Sequence, residues 1–291
     1  MTSSNQQSTS RSGHKLKSAQ STLPYTLLIG ATGGIGQAIA TQLCANNRPM
    51  ILVGRNAQTL TYLTNKLTKE YPNTPLLPLS CDLSSQVSQI QLIAALHETV
   101  QDCGNVIDTV ILNAGINDFA LLTEQSDEII EQMMLVNVAY PLQLIKRLLP
   151  LLIIQQSPSQ IISIGSTFGS IGYPGFSAYG ASKFALRGAS EALGREYADT
   201  SVKFRYFAPR ATKTTMNNDA VVAMNEALKV KMDSPETVAK ALVSFISTTN
   251  SHQHLGVPER FFAWLNRLFP NVVGNAIVKD LPTIKLYAKK T

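Results

Sequence analysis

The chain has 291 residues, of which 44% are hydrophobic and 15% charged, a balance that supplies a sizeable core and excludes an intrinsically disordered protein. Its three cysteines, Cys44, Cys81 and Cys103, form neither a CxxC pair nor an even set, so a reducing compartment is expected and no structural metal. The net charge of +6 belongs to the ends: residues 1–22 carry +3, residues 256–291 carry +4, and residues 23–255 hold 16 basic against 17 acidic side chains, which argues against nucleic-acid binding.

Residues 1–22 lack the apolar segment of a signal peptide and read as a disordered polar tail. No stretch reaches the roughly eighteen uninterrupted apolar residues of a membrane span. Tyr25 to Ile29 predicts a strand, followed at once by Gly30-Ala-Thr-Gly-Gly34-Ile-Gly36 and a helical pattern, QAIATQLCANN. Strand, glycine turn and helix form a phosphate cradle: Gly30, Thr32, Gly34, Ile35 and Gly36 let backbone approach a pyrophosphate at the positive helix end. Pro49 to Val53 predicts the second strand, and Arg55 follows it where an acid would hold the 2′-hydroxyl of NAD. An Arg there suits the 2′-phosphate of NADP.

A helix over about 56–70 and a strand ending at Leu79 lead to Cys81-Asp82-Leu83-Ser84. Asp82 can accept from an adenine amino group or cap the next helix, over about 85–99; both readings stand. Val106 to Leu112 predicts a buried parallel strand, followed by Asn113-Ala114-Gly115. Residues 126–152 form a long helical pattern whose Met133 and Met134 suit a core or a dimer face. Its polar Asn137 must be hydrogen-bonded if buried, or else marks a kink.

Ile161 to Ile164 delivers Ser166, and Ser177 onward predicts a helix carrying Tyr179 and Lys183 at i and i+4, one above the other. An ammonium beside a phenol favours the ionised form, so the Tyr179 pKa is expected to fall toward the working range of an acid/base catalyst. Ser166 can donate to the same substrate oxygen. Val202 to Phe207 predicts a sixth strand. Strands alternating with helices at this rhythm imply a Rossmann-like α/β fold, a doubly wound parallel sheet in a single domain, here with a helical C-terminal extension.

In its motifs the chain resembles the short-chain dehydrogenase/reductase family across about residues 23–250: GATGGIG, CDLS, LNAG, Asn137, Ser166 and YGASK stand in order at family spacing. The resemblance implies a catalytic tetrad of Asn137, Ser166, Tyr179 and Lys183. It implies a cofactor site lined by the glycine turn, Arg55, Asp82, Leu83, Asn113, Ala114, Gly115, Tyr179, Lys183, Pro209, Thr212 and Thr214, with Lys183 on the nicotinamide ribose. Three departures stand out. Leu112 replaces the first Asn of Asn-Asn-Ala-Gly, and Arg210 replaces the Gly after Pro209, expected here to point to solvent. The family's last strand with its Gly-Gly end is missing, so residues 251–291 read as an extension.

These features together predict an NADP(H)-dependent oxidoreductase, with NAD(H) the second choice, interconverting a ketone and a secondary alcohol. The apolar stretch Val221, Val222, Ala223, Met224, Ala227 and Leu228 favours a hydrophobic, lipid-like substrate such as a 3-oxoacyl or steroid-like ketone. The alternatives are a non-catalytic nucleotide-binding regulator and a membrane-surface scaffold. A homo-oligomer in the cytoplasm is expected. Pro258 to Val278 predicts two short helices with Phe261, Trp264, Leu265 and Leu268 on one apolar face, which pack within the protein or rest peripherally on a membrane.

Overall fold

The computed structural model describes residues 23–99 and 104–289; the polar tail, Cys103 and Lys290 lie outside them. Seven strands form one parallel sheet in the order β3-β2-β1-β4-β5-β6-β7. They are β1 (Tyr25–Ile29), β2 (Met50–Gly54), β3 (Leu76–Ser80), β4 (Ile107–Leu112), β5 (Ser159–Ile164), β6 (Val202–Ala208) and β7 (His252–His254). The central strands are rich in apolar residues and mostly buried along their length because both faces are covered. Adjacent residues Leu27 and Leu28 are both fully buried, on opposite faces of β1.

One face carries α3 (Gln86–His97), α5 (Tyr140–Ile154) and α6 (Ser177–Glu196), packed through Leu92, Leu96, Leu144, Leu148 and Leu193. The other carries α1 (Gly34–Cys44), α2 (Ala57–Glu70) and α8 (Pro235–Ile246), packed through Ile39, Leu43, Leu60, Val238 and Leu242. The strand order reverses between β1 and β4, and the crevice at their carboxyl ends is where such sheets bind ligands.

The helical run from 126 is continuous but not uniform. α4 (Asp127–Met134) passes through a π-turn at Leu135–Ala139 into α5, and Tyr140 N donates to Leu135 O, five residues back. Pro141 explains the slip: it has no N–H to offer the Asn137 carbonyl four residues before it. Asp127–Ile154 is long and apolar enough to cross a membrane by composition, with a mean hydropathy of 1.2. Its inner stripe nevertheless packs on the sheet, as a core helix does.

Beyond α7 (Asp219–Ala227) and α8 the sequence reading needs correction. A seventh strand is present where none was expected. It is only three residues long and polar, held to β6 by backbone bonds at its ends (Tyr206 N to Ser251 O, 2.9 Å; Leu255 N to Ala208 O, 2.8 Å), so no apolar run announces it. The extension then forms the two expected helices, α9 (Val257–Leu268) and α10 (Pro270–Lys279), and beyond them a third, α11 (Leu281–Ala288). Ile284 and Ala288 of α11 bury themselves against Val221 and Met224 of α7, so the end of the chain roofs the apolar segment that the sequence singled out.

Candidate active site

The crevice is a cavity of about 910 Å³ running from Arg55 and Asp82 past the glycine turn to Ser166, Tyr179 and α7. At its centre, α1 begins without a side-chain cap: Gly33 occupies the N-cap and offers no acceptor. Helices α2, α3, α4, α7 and α8 are each capped by an Asn or Ser side chain. The first amides of α1 are thus left for an anion, at the positive end of the helix. Gly30 has φ +82°, and a Cβ there would come within 2.7 Å of Ala114 N. A Cβ on Gly36 would strike the carbonyl oxygen of Gly30, so this glycine permits the close approach of helix and turn and does not itself line the cavity. An uncapped helix end behind a glycine turn fits a dinucleotide pyrophosphate.

Gly30, Thr32, Gly34, Ile35, Arg55, Asp82, Leu83, Ala114 and Gly115 all line the crevice, as do Pro209, Thr212 and Thr214. Arg55 is exposed at the end of β2. Asp82 accepts from Ser84 Oγ (2.8 Å) and Ser84 N (3.0 Å), bonds that hold its carboxyl below the usual range. Ser85, not Asp82, caps α3, which removes the capping reading. Asn113 Nδ2 donates to Gly30 O (3.0 Å) and fastens β4 to the glycine turn.

Ser166, at the end of β5, and Tyr179 and Lys183, one turn apart on α6, converge on the same cavity. Ser166 lies near enough to the Tyr179 phenol to favour its ionised form. Four aromatic rings gather beside it: Phe168 stacks on Tyr173 (5.0 Å), and Phe176 lies 4.8 Å from Phe119 and 6.2 Å from Tyr179. Burial among these groups pushes the Tyr179 phenol up to about 12, against the fall expected from Lys183. The Lys183 ammonium sits 5.6 Å over the Tyr179 ring and donates to Ile164 O (3.2 Å). Burial also lowers Lys183 to about 8.

Asn137 is 1% exposed and lies behind the cavity wall. Its amide spans Ile116, accepting from N (2.8 Å) and donating to O (2.9 Å), and also donates to Ser182 Oγ (2.9 Å). Both amide hydrogens are therefore committed to holding loop and helix together. Its backbone carbonyl, released by Pro141, is the group left without an α-helical donor.

Several contributors carried no signal in the sequence. Tyr206 of β6 reaches under the site, where its hydroxyl accepts from Ser166 N (3.3 Å); Gly165 and Gly169 leave the room it occupies. Arg210 does not point to solvent. Its guanidinium grips Asp233 through two bonds of 2.7 Å and reaches Glu259 of α9 at 3.4 Å, because a carboxylate that is 5% exposed needs a cation. This ties the segment after β6 to the extension. Asn117 joins the opposite wall to the same segment through Asn217 (3.3 Å).

Residues 25–225 match the sequence profile described as short chain dehydrogenase. The 3-ketodihydrosphingosine reductase of Dictyostelium discoideum is 28% identical over 274 residues, covering 88% of this chain and 80% of that protein. Among solved structures, an NADPH complex of a short-chain dehydrogenase from Sphingobium yanoikuyae superposes with a TM-score of 0.70 at 22% identity, covering 87% of this chain and 96% of that one. An NAD complex from Burkholderia phymatum reaches 0.73 at 18% identity, covering 86% and 95%. With the fold and the sequence match in agreement, the chain belongs to the short-chain dehydrogenase family of oxidoreductases, which act on CH–OH groups.

Proposed function

We propose that the chain reduces the ketone of a hydrophobic, lipid-like substrate with NADPH. The observation that carries this reading is the Ser166–Tyr179–Lys183 cluster at the foot of an apolar-walled cavity, with a phenol that keeps its proton. When bound, the nicotinamide ring supplies the hydride. Tyr179 donates its proton to the carbonyl oxygen, which becomes more basic than phenolate as the alkoxide develops. Ser166 donates a second hydrogen bond to that oxygen. Lys183, charged below about pH 8, steadies the phenolate left behind and donates to the cofactor ribose. A water held against the Asn137 carbonyl returns the proton from solvent.

The exposed Arg55 supports NADPH, since its fork can grip a 2′-phosphate at a strand end that has no acid. The lipid-like substrate is supported by Phe168, Tyr173, Phe176, Val221 and Met224 on the cavity wall. It is supported also by the Dictyostelium relative, whose name specifies a keto-bearing long-chain base. The test is NADPH consumption by the pure protein across ketones from short 3-oxoacyl thioesters to long-chain and steroid ketones. kcat/KM should rise with chain length, by roughly fourfold per buried methylene. Turnover of no ketone, or a preference for short polar ones, would overturn the reading.

A further inference from the structure

A second cavity of about 1060 Å³ opens at the β7 edge of the sheet, between the outer stripe of α6 and α9. It shares no lining residue with the first. Six cations line it, Arg187, Arg195, Lys203, Arg205, Arg260 and Arg267, against two carboxylates, Asp108 and Glu191. Asp108 is already ion-paired with Arg48 outside the cavity, and Glu191 is shared between Arg187 (3.0 Å) and Arg195 (3.8 Å). Arg205 is 5% exposed and turns its guanidinium to neutral acceptors only: the carbonyls of Asn250, Phe245 and Ile246, the amide of Gln160 and the hydroxyl of Thr248. Lys203, Arg260 and Arg267 have no carboxylate within ion-pair distance among the described residues.

So large an excess of positive over negative side chains calls for an anion. Two polar atoms in the same cavity are also unanswered. Ser159 is 5% exposed and its Oγ has no hydrogen-bond partner among the described residues; neither has His252 Nε2, although Glu191 lies 3.4 Å away. Burial and the neighbouring Arg187 lower both His252 and His254, His254 to about 4.

The helices beside this hollow, α9 and α10, expose apolar side chains. Only Ala263 of α9 is buried, whereas Phe261, Phe262, Trp264, Leu268, Phe269 and Val272 are 44% to 57% exposed. Arg260, Trp264 and Arg267 recur at i, i+4 and i+7, so cations and an aromatic share one face of α9, and all three line the cavity. A free anion would fill the hollow and leave the ridge in water; an amphipathic anion satisfies both. We propose that the hollow takes the phosphate of an anionic phospholipid at a bilayer surface, with the α9–α10 aromatic ridge resting at the acyl boundary. α9 also carries Glu259 on the wall of the first cavity, so the docked face adjoins the site.

The test is flotation of the full-length protein with vesicles of phosphatidylcholine alone or mixed with phosphatidylserine. The wild type should float with the anionic vesicles only and be released by high salt. Arg260→Gln/Arg267→Gln should lower the partition coefficient about thirtyfold, on the basis of about 1 kcal/mol for each basic residue near the surface. Trp264→Ser should weaken it as well, and Lys66→Gln/Lys69→Gln on α2 should not, with circular dichroism and melting showing that each variant folds. The proposal fails if the wild type ignores anionic vesicles, or if the double Arg variant binds them equally. It also fails if inorganic phosphate raises the melting temperature while vesicles do not bind. A double Arg variant altered in sedimentation mass and not in partition would likewise overturn it, assigning the face to a second copy.

Discussion

Lys183 holds a charge where the fold would be more stable without one. It is 5% exposed, and burial lowers its ammonium from 10.5 to about 8. Below about pH 8 both folded and unfolded chains carry the proton, so the folded state bears the whole cost of burying it, on the order of 3 kcal/mol. Between 8 and 10.5 the folded chain has released the proton and the unfolded chain has not. The unfolded state then binds more protons, and stability rises with pH across that window. Lys183→Met removes this dependence while keeping the volume. The stability of the wild type relative to the variant should therefore climb by about 2 kcal/mol from about pH 7 to about pH 9.5, as read from equilibrium urea unfolding at both pH values. The hydrogen bond to Ile164 O is lost at either pH and cancels from the difference to first order. The variant should also lose turnover, the usual trade of stability against activity at such a site. A gap that does not change with pH would show that the ammonium is not desolvated, and the description of this site would be wrong.

Arg210→Met should destabilise the chain by about 3–5 kcal/mol, because it strands the buried Asp233 carboxylate, and Arg210→Met/Asp233→Asn should recover most of that loss in the same urea assay. Gly36→Ala places a Cβ against the Gly30 carbonyl and should raise the NADPH Kd at least about tenfold while leaving a folded protein, as measured by cofactor fluorescence. Arg55→Ala should weaken NADPH by about 1.5–3 kcal/mol and leave NADH unchanged in the same titration; equal loss for both would place Arg55 away from the 2′-phosphate.

β1 to β6 were legible because each carries a run of apolar residues beside a glycine turn or a helix pattern, and the convergence of Ser166, Tyr179 and Lys183 followed from spacing along a strand end and one helix turn. What spacing does not carry is environment. The i, i+4 relation brings Lys183 over the Tyr179 ring, but the surrounding rings of Phe119, Phe168, Tyr173 and Phe176 come from other segments, and their desolvation sends the phenol up instead of down. Arg210 was misread for the same reason. Its partners stand 23 and 49 residues further on, in segments without family-like pattern. The π-turn was readable in principle, since Pro141 follows Asn137 by four residues, the interval of one helical hydrogen bond.

Ketone reduction by Tyr179 as proton donor is tested most directly by Tyr179→Phe, assayed for steady-state turnover and for NADPH binding on the same preparation. General-acid catalysis of this kind contributes roughly 10²–10⁴-fold, so kcat should fall by at least about a hundredfold while the NADPH Kd stays close to that of the wild type. A variant that keeps more than about a tenth of the wild-type kcat, a barrier change below about 1.4 kcal/mol, would contradict the assignment.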